Sequence, residues 1–272
     1  MRPTAFPRIQ VLANGYPKTA VINFLRSPLL GTLLAFVALI GLWQLGSRHA
    51  LVASPAQAVE QIREDFDSGI LWPHLSATLR VLFQGYFIAI LIAFPVGLFL
   101  GFYHAWRKVL EEVLYGVNAI PKLAWYPMLL LVFGITVNTQ VAFVIIGSLF
   151  PILVNTMLGV REVRPIMVKV GRSFGLSFGQ MMTKVFLPAI TPSLVTGLRI
   201  GYSLAVLHAL LAELIVAREG LGVLMWDAYG NLRIDTVYGL IVIVFAIAVG
   251  GNMLLWMFER KVRGRATLET TL

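Results

Sequence analysis

Long uncharged apolar runs alternate with short polar segments along most of this chain. Windows near 28–46, 80–103, 119–136, 140–160, 192–216 and 237–258 each predict an apolar helix. A hydrocarbon core of roughly 30 Å takes about 20 helical residues to cross. The pattern therefore predicts an all-α polytopic membrane protein with about six transmembrane helices. Alternation with a period of two is not sustained, which disfavours an outer-membrane barrel. The run from Pro28 to Gly46 exceeds the apolar stretch of a usual signal peptide, and further spans follow it, so it reads as the first span.

The polar interruption from Arg161 to Pro192 has the most internal order. It reads as two short helices joined by a Gly-Leu-Ser turn. The first, from Pro165 to Phe174, carries Ile166, Met167, Val170 and Phe174 on one side. Gly175 suits a left-handed helix end. Ser177 can cap the next helix, and Gln180 three residues later completes a capping box. Phe178, Met181, Met182, Val185 and Phe186 then fall at i, i+3, i+4, i+7 and i+8, which is one apolar stripe. Pro188 is expected to end this helix, and Thr191-Pro192 to start the next span. A structured loop with an apolar face outside the bilayer predicts a docking element.

The chain thus divides into a tail over 1–27, a membrane domain over 28–258 with the loop 161–191 inside it, and a tail over 259–272. A second amphipathic segment follows Ser54-Pro55, with Val59, Ile62 and Phe66 on one face; it predicts a short surface helix.

Charge orients the spans. The two tails, the 104–118 connection and the 161–191 loop together carry fifteen Lys and Arg residues. The opposite connections carry only Arg48, Arg63, Arg218 and Arg233, with Arg80 at a boundary. The positive-inside rule predicts that both termini and the 161–191 loop are cytoplasmic. The net charge of +9 therefore has a topological reading and need not imply nucleic acid. Composition agrees with the class: 58% of residues are hydrophobic, 13% are charged, and mean hydropathy is +0.82.

Candidate chemistry is sparse. No G-x-x-x-x-G-K-[ST] loop is present to cradle ATP phosphates. His49, His74, His104 and His208 have no zinc spacing, and cysteine is absent. No catalytic or metal-ligating residue is assigned. Pro121 and Pro127 interrupt the third apolar window, and irregular backbone at membrane depth is tolerated only against protein or a water-filled cavity. This points to a pathway-lining span with Lys122, Trp125 and Tyr126 open to a solute; the alternative is interface aromatics and a snorkelling lysine. His208 and Glu213 are ionisable groups inside the fifth window, and so are functional candidates. Their bland readings are a packing histidine and a Glu213–Arg218 pair. Gly97/Gly101 and Gly197/Gly201 permit close helix contact.

Gly175, then Val185 ten residues later and Leu187-Pro188, resemble the Glu-Ala-Ala…Gly…Ile-x-Leu-Pro loop of binding-protein-dependent ABC transporter permeases. Flanking pieces fit the nitrate, sulfonate and taurine branch: Ser54-Pro55, Pro121…Ala124-Trp125…Pro127, Phe133-Gly134-Ile135, Thr196-Gly-Leu-Arg-Ile-Gly201, Ala212-Glu213-Leu214-Ile215 and Gly220-Leu221-Gly222. The likeness runs from about Ser54 to Arg263. It departs at Lys169-Val170-Gly171, where the family has Glu-Ala-Ala.

The resemblance implies a type I ABC importer permease fold in a bacterial cytoplasmic membrane. It implies two permease subunits, here identical, two ABC ATPase subunits holding ATP and magnesium, and an extracytoplasmic binding protein that delivers a small organic or inorganic anion. This chain itself would be no enzyme and carry no cofactor. Gly175, Leu176, Ser177, Phe178, Gln180, Met181, Met182, Val185, Leu187 and Pro188 would form the ATPase-coupling loop. The competing class is a secondary carrier driven by an ion gradient, which should show more intramembrane carboxylates and paired broken helices.

Overall fold

A computed structural model describes residues 28–49 and 51–269, with side chains for 30–49 and 51–260. The expected tail over 1–27 and positions 270–272 lie outside the described residues. Two compact units divide the chain at Pro55. In the first, α1 (Pro28–Gly46) is apolar on every side and exposes Leu33, Leu39 and Leu42. Trp43 Nε1 donates to the Ala53 carbonyl at 2.8 Å, folding the following segment back.

The second unit starts with α2 (Pro55–Asp67), the short amphipathic helix expected after Ser54-Pro55. Next come α3 (Leu71–Phe102), α4 (His104–Ala119), a 3-10 turn (Lys122–Trp125), α5 (Tyr126–Phe133) and α6 (Val137–Glu162). The loop holds α7 (Pro165–Ser173), the single-turn α8 (Phe178–Met181) and a π turn (Met182–Phe186). It leads into α9 (Leu187–Val216), α10 (Leu221–Gly230) and α11 (Ile234–Glu269).

Helix α6 is central. It packs against α3 and α9, and α11 lies on α9. Close approach follows from missing side chains. A Cβ on Gly97 would lie 2.7 Å from the Leu153 carbonyl oxygen, and one on Gly197 would lie 2.9 Å from that of Pro151. Both glycine pairs therefore seat α6 within this chain. Val81, Leu82, Leu100, Val144, Ile152, Met157 and Ala205 fill the space between the three helices.

Buried hydroxyls find backbone acceptors, as burial demands. Tyr86 donates to Leu198 O at 2.9 Å and Tyr202 to Ile247 O at 3.0 Å, their rings meeting edge to face. Tyr86→Phe should cost about 1 kcal/mol through the lost hydrogen bond, read as a small drop in the thermal midpoint of the purified chain. No shift of the midpoint would remove the α3–α9 tie from the account.

Among the described residues, four helical stretches are long and apolar enough to cross a membrane: 71–102, 137–162, 178–216 and 234–260. The expected span over 119–136 is corrected. Helices α4 and α5 meet at a bend of 89° around Ile120-Pro121, and together they make at most one broken span. Proline excludes its preceding residue from helical geometry, and Ile120 is extended at ψ 129°. Pro127, by contrast, occupies the first turn of α5, where its missing N–H costs nothing. Helix α4 replaces the expected polar connection. Leu110 and Leu114 face the core, and Glu111 bonds Arg161 at 3.3 Å. At the far end, α11 runs to Glu269, so the described part of the 259–272 segment is helix.

Candidate functional site

The loop between α6 and α9 is built much as its residues dictate. Pro165 starts α7, and Gly175 turns the chain at φ +66°. The Ser177 side chain accepts from the Gln180 amide at 3.4 Å, and the Ser177 amide donates to Gln180 Oε1 at 3.0 Å, closing the capping box. Phe174 and Phe178, each 80% exposed, project from this turn. Ile166, Met167 and Val170 of α7, with Leu176, Lys184 and Val185, line an open groove of about 590 Å³ beside them.

Two details depart from expectation. The apolar stripe does not lie wholly outward. Met181 is only 8% exposed and packs onto α7 at Gly171, where a Cβ would stand 2.8 Å from its Cε. Phe186 meets Phe102 of α3 edge to face at 4.7 Å. The second departure is that Pro188 does not end the helix. Proline crowds the carbonyl four residues back. Here the preceding turn is widened, with the Leu187 amide donating to Met182 O, five residues earlier. Thr191 is no cap; its hydroxyl donates to Leu187 O at 2.7 Å inside a helix that is continuous from Phe178 to Val216.

The five polar and aromatic candidates at membrane depth separate into two places. Lys122 and His208 line one cavity of about 470 Å³ with Asn118, Gly147, Pro151 and Leu204. Lys122 donates to both the backbone and side-chain oxygens of Asn118, the latter at 2.8 Å, and stands over the Phe150 ring. His208 Nδ1 lies 2.6 Å from Leu204 O, so Nδ1 carries the proton of that hydrogen bond and Nε2 is left facing away from it. Trp125 is half-buried. Tyr126 is buried, donates to Ala212 O at 3.0 Å and packs on Phe143, which meets His208. Its position is that of a strut.

Glu213 is elsewhere, 2% exposed and enclosed. Its Oε2 accepts from the Gly222 amide at 2.9 Å and from Thr78 Oγ1 at 3.0 Å, and Thr78 accepts in turn from the Leu221 amide at 2.8 Å. His74 Nδ1 lies within 3.1 Å of both backbone polar atoms of Gly220. Arg218 takes no part; Glu213 ties the 220–222 segment to α3 and α9. Sequence reasoning missed His74 and Thr78, whose only local signal is their i, i+4 spacing on one face of α3.

Residues 85–264 match the family model described as binding-protein-dependent transport system inner membrane component. The chain belongs to this family. The permease is 30% identical over 199 residues to the taurine transport system permease protein of Escherichia coli (strain K12), covering 71% of this chain and 72% of that one. It is 30% identical over 211 residues to the nitrate import permease protein of Leptolyngbya laminosa, covering 74% and 75%. With the bicarbonate transport system permease protein of Synechococcus elongatus it shares 29% identity over 243 residues, 83% and 86% of the two chains. The permease also has the fold of a chain in the inward-facing MetNI methionine ABC transporter. There the TM-score is 0.57 at 20% identity, over 71% of this chain and 95% of that one.

The family resemblance read from the loop and the type I permease fold are thereby borne out. The permease's departure at Lys169-Val170-Gly171 also gains a physical account. A glycine in a helix costs about 1 kcal/mol relative to alanine. Gly171 is buried, and the space it leaves is taken by the Met181 thioether.

Proposed function

We propose that this permease is the membrane-spanning subunit of an ATP-driven importer, forming the path for a small anion handed over by an extracytoplasmic binding protein. The observation that carries this reading is the capped loop at 174–178, which holds two aromatic rings out at one end of the bundle. Such surface is unfavourable in water unless a partner covers it. An ATPase subunit is the partner that the family supplies, and the chain has no P-loop of its own. Coupling would run through Gly175, Leu176, Ser177, Phe178, Gln180, Met182, Val185, Leu187 and Pro188, with Met181 holding the loop together from inside.

The solute class follows the relatives. Taurine, nitrate and bicarbonate, named for three of them, all present oxyanion groups. Lys122 and His208 would line the path, and the assembly would hold two copies of this chain and two ATPases. The family reading places the chain in a bacterial cytoplasmic membrane, and the distribution of Lys and Arg supports an orientation with both termini and the loop in the cytoplasm.

The test is co-purification of the chain with its genomic neighbours. A P-loop ATPase should elute with it and be lost when Phe174 and Phe178 both become aspartate. Both side chains are exposed, so the variant should fold normally. Uptake into vesicles that needs no ATPase and follows a proton or sodium gradient would sink the importer reading.

A further inference from the structure

We propose that the opposite end of the bundle from the coupling loop carries an oxyanion site, formed by Arg80, Arg218, Gln140 and the first turn of α6. The proposal rests on the reading of this chain as an anion permease and names where the solute first meets it. A cavity of about 370 Å³ opens between α3, the α5–α6 junction and the segment after α9. That volume falls within the roughly 300–1,000 Å³ typical of small-molecule sites.

Its polar lining has no carboxylate partner. Among the described residues, neither Arg80 nor Arg218 has a carboxylate oxygen within 4.0 Å. Gln140 is only 6% exposed, and its amide has no hydrogen-bond partner among the described residues. A nine-tenths-buried amide without a partner is costly unless something else fills the role.

The third component is backbone. Thr136 and Val137 line the cavity where α6 begins; the Thr136 and Thr139 amides already bond Gly134 O and Thr136 O, which leaves those of Val137 and Asn138 as the helix's open donors. A 26-residue helix also presents its positive end there. Two guanidinium groups, a primary amide and a helix N-terminus border one small volume. Planar or tetrahedral oxyanions are the ligands that such donors match. Glu219 also lines the mouth, and the balance of two guanidinium groups against one carboxylate remains positive.

Position adds to the chemistry. The cavity adjoins the 217–222 segment, which the Glu213 cluster holds still, so Arg218 projects from an anchored stretch of chain. By the charge rule this end faces away from the cytoplasm, where a binding protein would release its cargo.

The experiment uses the full chain in phosphatidylcholine nanodiscs, with methanesulfonate as probe and dimethyl sulfone as its neutral analogue, read by saturation-transfer NMR. Methanesulfonate should give a saturable signal and dimethyl sulfone none. Arg80→Gln and Arg218→Gln should each weaken methanesulfonate binding about tenfold, the size of one charge-assisted hydrogen bond, while Arg63→Gln, on the exposed face of α2 and outside the cavity, should leave it unchanged. Both arginines are exposed, so unaltered melting of the variants is expected and checked alongside. Four results would each overturn the site: no methanesulfonate signal, equal signals from the two probes, wild-type binding in both arginine variants, or loss of the signal on adding phosphatidylglycerol. The last would assign the site to a lipid headgroup. The ATPase co-purification reads only Phe174 and Phe178, so either proposal can fail while the other stands.

Discussion

Gly97→Leu should leave almost no folded chain to purify. The added Cβ alone would stand 2.7 Å from the Leu153 carbonyl oxygen and 2.8 Å from Thr156 Cβ, before the rest of the side chain is counted. A flexible side chain could swing aside, but a carbonyl inside a long helix cannot. Relief would require α3 and α6 to separate, and they form one of the two main contacts of the bundle. Overpacking that only displaces side chains costs about 1–3 kcal/mol; forcing two backbones apart should exceed it. Gly116→Leu is the matched control, since nothing lies within 4 Å of the corresponding Cβ. Size-exclusion yield and thermal midpoint decide the matter. A Gly97→Leu chain that elutes and melts as Gly116→Leu does would show that the α3–α6 contact is looser than described.

The second large effect is expected at Glu213, with a sharp dependence on the replacement. Alanine would strip the Gly222 amide and the Thr78 hydroxyl of their shared acceptor in a closed site. One unsatisfied buried donor costs about 1–3 kcal/mol, and the vacated volume adds to this. A loss of about 3 kcal/mol or more is therefore expected. Glutamine keeps an oxygen that accepts both bonds but sets its NH2 where Oε1 is buried without a partner, so it should cost about 1–3 kcal/mol, less than alanine. Thermal unfolding of the two variants, with limited proteolysis over 217–222, tests the difference. Glutamine and alanine falling together would mean that a charge, not an acceptor, is what the cluster needs.

Much of this was legible along the chain because it is local. Gly175, Ser177 and Gln180 encode their turn within six residues, and the structure reproduces it. The Gly97 and Gly197 contacts were visible as spacing, though not which helix would fill them. Other features depend on distant partners. Thr78 reaches Glu213 across 135 residues, and nothing near Glu213 announces it. Met181 fits the outward stripe by spacing alone; only the missing side chain at Gly171 draws it inward.

Two misreadings came from local signals with more than one resolution. Pro188 is a stop signal in an α-helix and no obstacle after a widened turn. Arg107 and Lys108 suggested a connection, although Leu110 and Leu114 already carried the helical period of α4. The charges were real, and they belong to one face of a helix.

The π turn at 182–186 carries one residue more than an α-helical path would, and α-helical residues are about 100° apart around the axis. The extra residue therefore sets the azimuth of Phe178 against every membrane-embedded position of α9. From Phe178 to Val216 the chain is one rod of 39 residues, about 58 Å at 1.5 Å per residue. Torque applied at the aromatic tip would reach Glu213 along that one continuous helix, through the π turn and past Pro192. Deleting one residue within that turn would preserve every side chain beyond it and still swing the tip to a different compass bearing.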